Sequence, residues 1–183
     1  MFDIFRKDAQ RWVIPSKFAE PSEVTFLKVL SMLYRYPSLR MMFWFRLARW
    51  CKDQRIPAIP NLLYQVVFHR FGAELRLDTP IGGGLYIAHP AGVVISPDSM
   101  GENCSVIAAV TIGMRNEFAF PKIGDRVFIG AGARVLGNIK LGDDVQVGAN
   151  SVVVKDTPAG STVVGIPGRI ISIYGEKPQS PNS

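Results

Sequence analysis

Residues 122–154 read KIGDRVFIGAGARVLGNIKLGDDVQVGANSVVV, and an aliphatic side chain recurs in this stretch every six residues. These aliphatic positions are Ile123, Ile129, Val135, Leu141, Val147 and Val153. Four residues after each of the first five stands a second apolar or small residue, namely Val127, Ala133, Ile139, Val145 or Ser151. An earlier run keeps the same period through Leu75, Ile81 and Ile87 and then, after one extra residue, through Val94, Met100, Val106 and Ile112.

A six-residue repeat with one aliphatic and one small residue per unit is typical of a β-helix. Each unit is one short strand that points its aliphatic side chain inward, and the small residues let the chain turn. We therefore predict a mainly β protein with a β-helix over residues 74–174, a small α-helical segment over 1–73 and a disordered tail over 175–183. Between Ile112 and Ile123 the spacing is eleven residues instead of a multiple of six, which predicts a loop extruded from the coil over residues 113–122. Such insertions commonly lie on the functional face.

The segment before the β-helix carries the positive charge of the chain. Residues 1–80 contain 13 Lys and Arg against 7 Asp and Glu, whereas the remainder contains 8 of each. We predict helices from an N-cap at Ser22 to about Tyr34, from Leu39 to Lys52 and from Asn61 to Phe71. The basic, aromatic second helix packs its apolar face on the β-helix or on other subunits with solvated arginines, or it contacts an anionic membrane or lipid-linked substrate. We favour packing.

Composition argues against several classes of protein. No apolar run approaches the ~18 residues of a membrane span, and the N-terminus lacks the apolar region of a signal peptide, so we expect a cytoplasmic protein. Cys51 and Cys104 lie in different kinds of segment, and both are expected to be core residues rather than a disulfide. Two histidines without a Cys-x-x-Cys motif predict no metal site, and the modest charge without a recognition motif predicts no nucleic-acid binding.

His89 is the candidate catalytic residue. It lies at a turn of the repeat within GLYIAHPAGVVI, residues 84–95, where the other turns consist mostly of Gly, Ala, Asn and Asp. Such a turn has no packing use for an imidazole, and histidine side chains titrate near neutral pH, which suits a general base. The alternative is a surface histidine without a catalytic task.

Three segments resemble the hexapeptide-repeat acyltransferases: GLYIAHPAGVVI, the repeat quoted above and VVGIPGRII. The upstream FWFRLARW extends the resemblance, which covers roughly residues 35–173 and is closest to serine acetyltransferases and their relatives in bacterial surface-polysaccharide synthesis. It implies a left-handed parallel β-helix, a homotrimer and acetyl-CoA bound between adjacent subunits. It also implies direct transfer, in which a histidine base takes a proton from an acceptor hydroxyl that attacks the thioester.

The resemblance assigns roles to particular residues. His89 aligns with the base, and Glu74 occupies the position of the carboxylate that orients it, where the family has Asp. Glutamate keeps the charge and adds a methylene, so orientation of an imidazolium remains feasible. The positions implied for acetyl-CoA are Gly113, Met114, Ala131 and Ala149 along the coils, with Lys155 and Arg169 at the nucleotide phosphates.

The acceptor positions depart from the serine acetyltransferases. That branch has Asp before the base and Arg-His-Pro-Lys at the loop end, whereas this chain has Ala88 and the sequence Ala-Phe-Pro-Lys over residues 119–122. The charged side chains that would bind the amine and carboxylate of an amino acid are missing, and an aromatic face beside the base suits a sugar ring. We therefore predict O-acetylation of a sugar hydroxyl in capsule, exopolysaccharide or O-antigen synthesis, with Ala88, Phe118 and Phe120 contacting the acceptor.

Other functions remain as alternatives. Serine O-acetylation of cysteine biosynthesis and N-acetylation of an amino sugar fit the same fold and the same base. A β-helix carbonic anhydrase needs three histidines per zinc, and this repeat contains only His89. A scaffold without activity gives no reason to place a histidine and a carboxylate beside an extruded loop.

Overall fold

The computed structural model describes residues 1–13 and 24–176, and its first part is helical. The helices are α1 (Phe2–Val13), α2 (Phe26–Arg35), α3 (Pro37–Asp53) and α4 (Ile59–Phe71). Helix α1 was not predicted as an element of its own. The predicted cap Ser22 and most of the predicted disordered tail lie outside the described residues, and α2 begins after Thr25, whose hydroxyl accepts a hydrogen bond from the Lys28 N–H at 3.3 Å. Within the described ranges, no helix combines the length and the apolar character that a membrane crossing needs.

The rest of the described chain consists of short strands. They are β1 (Glu74–Leu75), β2 (Tyr86–His89), β3 (Val94–Ile95), β4 (Ser99–Met100), β5 (Ser105–Ala108), β6 (Thr111–Gly113), β7 (Lys122–Ile123), β8 (Phe128–Ile129), β9 (Arg134–Leu136), β10 (Lys140–Leu141), β11 (Gln146–Val147), β12 (Val152–Val153), β13 (Ser161–Val164) and β14 (Arg169–Ile173). Residues 114–121 connect β6 to β7.

The strands form three parallel faces. Face A has the order β1-β3-β6-β9-β12, face B the order β4-β7-β10, and face C the order β2-β5-β8-β11-β13 with β14 antiparallel at its end. Each turn of the chain contributes one strand to each face in succession, so the architecture is a parallel β-helix of about five coils. The predicted fold class is confirmed.

Inward side chains of faces A and C stack in columns that fill the coil. The face A column is Leu75, Ile95, Ile112, Val135 and Val153. The face C column is Ile87, Val106, Ile129, Val147 and Val163, and all ten side chains are buried. One predicted inward position is wrong, because Ile95 rather than Val94 faces the core. The corner after His89 takes two residues more than the ordinary period, whereas the sequence analysis allowed one. Val94 consequently pairs with Glu74 on the outer side.

A buried ion pair joins the helices to the first coil. The Arg46 guanidinium on α3 donates to both carboxylate oxygens of Asp8 on α1, at 2.8 and 3.0 Å, and both side chains are buried. It also donates to the carbonyls of Ile81 and Gly82, at 2.8 and 2.6 Å, while the Leu85 N–H donates to Asp8 at 2.9 Å. The expectation of solvated arginines is therefore wrong for Arg46, since backbone carbonyls of the coil and a buried acid need its donors.

We predict that Gly130→Ala destabilises the protein because the coils stack without room for a side chain there. A Cβ at Gly130 would lie 2.6 Å from the backbone nitrogen of Ala149 in the next coil. Overpacking of this kind costs about 1–3 kcal/mol of unfolding free energy. Gly113→Ala is the matched control, since in the described part of the chain no atom beyond its two chain neighbours lies within 4 Å of its ideal Cβ. Denaturant unfolding measures both variants, and equal losses in the two would contradict the stacking argument.

Candidate active site

His89 stands exposed at the corner where face C ends and face A begins. It is the last residue of β2 and pairs with Ala108 of β5, which fixes its height along the coil. The hydroxyl of the buried Ser38 on α3 donates to the carbonyl of Ala88 at 3.0 Å, so a helix holds the strand end next to the imidazole. Ser38 was not predicted, because no local pattern marks a serine whose partner lies 50 residues away.

The same corner recurs in the later coils and carries two of the residues predicted to contact acetyl-CoA. Ala108 lies one coil from His89, and its carbonyl accepts a hydrogen bond from the Gly132 N–H at 2.8 Å. The carbonyl of Ala131 accepts from the Asn150 N–H, also at 2.8 Å, which places Ala149 at the corner one coil further on. Small side chains along this column leave the backbone accessible beside the imidazole.

Glu74 lies on the segment directly beside the corner that follows His89. The Glu74 N–H donates to the carbonyl of Val93, and the Gly92 N–H donates to the carbonyl of Gly72, each at 2.8 Å. The side chain is half-buried next to Tyr64 of α4. Burial, and secondarily the Glu74 charge, raise the pKa of the Tyr64 phenol. Within the described part of the chain no hydrogen bond joins Glu74 to His89, so the fold brings the pair to one corner without direct contact.

Gly113 and Met114 lie at the opposite end of face A. Gly113 ends β6, four residues beyond the corner at Ala109, a distance of about 13 Å at the usual rise of a strand. Among the described residues, no atom beyond the two chain neighbours of Gly113 lies within 4 Å of its ideal Cβ, and Met114 is half-exposed. A single chain therefore does not bring these two predicted positions together with its own His89.

Lys155 and Arg169 share one cleft at the end of the coil. They line a cavity of about 370 Å³ with residues of β12, β13 and β14 and with Asp156. Both side chains are exposed, and two cations that converge on one cleft suit phosphate groups. The assignment of these two residues to the nucleotide phosphates stays a prediction.

The predicted acceptor residues fall into two places. Ala88 is half-buried beside His89 on β2, whereas Phe118 and Phe120 lie on the loop at the far end of face A. The Phe118 and Phe120 rings meet edge to face with centroids 5.2 Å apart. The guanidinium carbon of Arg76 lies 4.5 Å from the centroid of the Phe120 ring. One face of Phe120 is therefore already occupied by a side chain of the protein.

Cys104 is part of the core, as predicted. It is completely buried, and its thiol donates to the carbonyl of Gly124 at 3.3 Å. Burial raises the pKa of the Cys104 thiol to about 12, which leaves it protonated and unsuited to nucleophilic attack. Across residues 1–13 and 24–176 no group of three or more His, Cys, Asp or Glu side chains converges as metal ligands would.

The chain is similar to hexapeptide-repeat transferases in sequence and in structure. Residues 120–155 match the family described as bacterial transferase hexapeptide (six repeats). The chain is 40% identical over 146 residues to a serine acetyltransferase of Synechococcus elongatus, covering 78% of this chain and 60% of that protein. It is 39% identical over 145 residues to a serine acetyltransferase of Helicobacter pylori, covering 77% of this chain and 85% of that protein. Among solved structures, soybean serine acetyltransferase complexed with serine matches with a TM-score of 0.74 and 31% identity over 91% of this chain and 67% of that one.

These similarities overturn the predicted sugar acceptor. The related proteins are named serine acetyltransferases, which fits the alternative function rather than the main prediction. The physical basis of the sugar prediction also fails, because it treated Phe120 as a free aromatic platform. Arg76 covers that ring in the structure, and the edge contact with Phe118 restricts it further.

We predict that Gly113→Ala weakens the binding of acetyl-CoA without lowering the stability of the protein. The added methyl group would project into open space at the end of β6, where the pantetheine arm is expected to lie. We expect the KM for acetyl-CoA to rise about tenfold, equivalent to ~1.4 kcal/mol, with an unchanged thermal midpoint. Steady-state kinetics with varied acetyl-CoA measures the effect. An unaltered KM would mean that the cosubstrate lies elsewhere.

Proposed function

This chain belongs to the serine acetyltransferase family, and we propose that it transfers the acetyl group of acetyl-CoA to the hydroxyl oxygen of L-serine. The observation that carries the proposal is the exposed His89 at a corner of the coil, with the carboxylate of Glu74 on the adjoining segment. The chain matches 60% of the length of the Synechococcus relative, so the activity of this chain is an inference from its own residues and from the family.

His89 acts as a general base in this reaction. Its imidazole takes the proton from the serine hydroxyl, and the oxygen attacks the carbonyl carbon of the thioester. The tetrahedral intermediate then collapses with cleavage of the carbon–sulfur bond. The imidazolium returns its proton to the departing sulfur, so the products are O-acetyl-L-serine and CoA with its free thiol. Because no covalent acyl-enzyme forms, the reaction needs no protein nucleophile, in keeping with the inert Cys104.

Glu74 serves as the positioning residue for this base. A carboxylate near an imidazole fixes its orientation and stabilises the imidazolium that forms during transfer. The extra methylene of glutamate extends its reach across the corner, and the hydrogen bonds of residues 72 and 74 to the strand after His89 hold its backbone in place. We propose that the side chain turns from its place beside Tyr64 towards the imidazole when substrates bind.

A homotrimer would complete the site. The residues proposed for acetyl-CoA occupy both ends of face A, and Gly113 and Met114 lie too far from His89 of the same chain. Placement of a second copy against the corner would bring Gly113 of one subunit next to His89 of its neighbour. Three such contacts close a ring, which agrees with the cyclic symmetry common among homo-oligomers.

We predict that the purified protein releases CoA thiol when it is given acetyl-CoA and L-serine. His89→Ala should lower kcat/KM by about 10²–10⁴-fold, the usual contribution of a general base. His69→Ala is the matched control, because it removes the only other histidine, which is exposed on α4 against Phe68. A thiol reagent follows the reaction, and mass spectrometry identifies O-acetyl-L-serine. A wild-type protein inactive on L-serine would refute the proposed function, and full activity of His89→Ala would refute the assigned base.

We predict that Glu74→Gln, which keeps the size of the side chain and removes its charge, lowers activity less than His89→Ala does. Loss of an orienting partner typically costs about 10–100-fold in activity. The decrease should appear in kcat, while the KM for acetyl-CoA stays unchanged, and Glu74→Asp should restore most of the rate because it keeps the carboxylate. Equal losses in the glutamine and aspartate variants would indicate a structural role rather than an orienting charge.

A further inference from the structure

A polar cleft lies on the outer side of face A, between the first coil and the helices α3 and α4. Its volume is about 300 Å³, and its polar lining includes Lys52, Asn61, Tyr64, Glu74, Arg76 and Ser96. Glu74 is therefore common to the cleft and to the corner of the proposed general base. The cleft runs along the strand from Glu74 to Arg76, towards the end of face A that the proposed trimer places against His89 of a neighbouring subunit, which makes the cleft a candidate acceptor subsite.

The two cations of the cleft differ in their partners. Lys52 donates a hydrogen bond to the carboxylate of Asp78, and this bond is the main cause that lowers the pKa of Asp78. Lys52 is thus already neutralised by an acid. For Arg76 the described residues provide no hydrogen-bonded or ion-paired acid, although its charge contributes weakly to the lowered pKa of Asp78. Arg76 is the cation of the cleft that is free to bind an incoming anion.

The position of the Arg76 guanidinium is fixed by an aromatic ring. Its central carbon lies 4.5 Å from the centroid of Phe120, within the range of a cation–π contact. A guanidinium held over a ring keeps the N–H groups of its edge available, and these form the planar fork that matches a carboxylate. The ring therefore orients the cation without consuming its hydrogen-bond donors.

We propose that Arg76, supported by Phe120, binds the α-carboxylate of the amino-acid acceptor and so determines specificity for serine. The inference rests on the proposed function. Arg76 lies in the strand register beside Ser96, and Ser96 lies beside Gly113. In the trimer proposed above, the end of face A that carries Gly113 meets His89 of the neighbouring subunit, so Arg76 lies on the side of the site opposite the base. The position before the base and the position where the related branch has the loop arginine carry only the methyl groups of Ala88 and Ala119, which cannot neutralise a carboxylate. Arg76 supplies the missing charge from the strand.

The test compares L-serine with L-serinamide, which keeps the hydroxyl and the amine but lacks the carboxylate charge. We expect wild type to prefer L-serine and Arg76→Gln to raise its KM by about 10–100-fold, the usual effect of losing a hydrogen bond to a charged group. The KM for acetyl-CoA should stay within about twofold, and the preference for L-serine over L-serinamide should disappear. Phe120→Leu should raise the KM for L-serine less than Arg76→Gln does, because Arg76 remains but loses the ring that orients it.

Lys52→Gln is the matched control, since it removes the other cation of the same cleft and should leave the preference for L-serine intact. Wild-type KM and preference in Arg76→Gln would overturn the inference while the proposed function stands. Wild type that uses L-serine and L-serinamide equally would overturn it as well, even if Arg76→Gln did not fold. Absence of L-serine turnover in wild type would remove the proposed function and this inference together.

Discussion

The hydrogen bonds between successive coils are the constraint on which the rest of the structure depends. Each strand from β1 to β13 pairs in parallel with the strand one coil away, so that a residue lies above its counterpart in the next coil. The stacked backbones approach so closely that a single methyl group at Gly130 would meet the next coil at 2.6 Å. This spacing turns the sequence into columns of equivalent positions. Chemistry can therefore be placed only at corners and outer faces, where a side chain does not disturb the stack.

The site follows from two departures from the regular repeat. The corner that follows His89 takes two extra residues, and His89 places an imidazole in the column that later coils fill with alanine. The loop between β6 and β7 brings Phe120 back onto Arg76 at the other end of face A. One departure provides a base, and the other orients a cation. The strand β3 that follows His89 is hydrogen-bonded to β1 on one side and to β6 on the other, so the segments that carry the two groups keep a fixed separation.

The sequence was sufficient to predict the β-helix and its core, because the six-residue period is a local signal repeated many times. It was insufficient where partners lie far apart along the chain. The Asp8–Arg46 pair joins residues 38 positions apart, and nothing around either residue marks its burial. The inward position at Ile95 was missed because the length of a corner is set by backbone geometry, which an extra glycine can satisfy in more than one way.

Phe120 shows why the acceptor was the hardest feature to predict. An aromatic residue near a catalytic base is chemically ambiguous, since the same ring face can stack on a sugar or on a guanidinium. Only the partner decides between these uses, and the partner lies 44 residues earlier on a different coil of the helix. With Arg76 on the ring, the pair presents a positive charge rather than an apolar surface. A positive charge selects a carboxylate. The loop that lacks the expected charged residues for an amino acid therefore supplies, through Phe120, the ring that orients Arg76 for the same carboxylate.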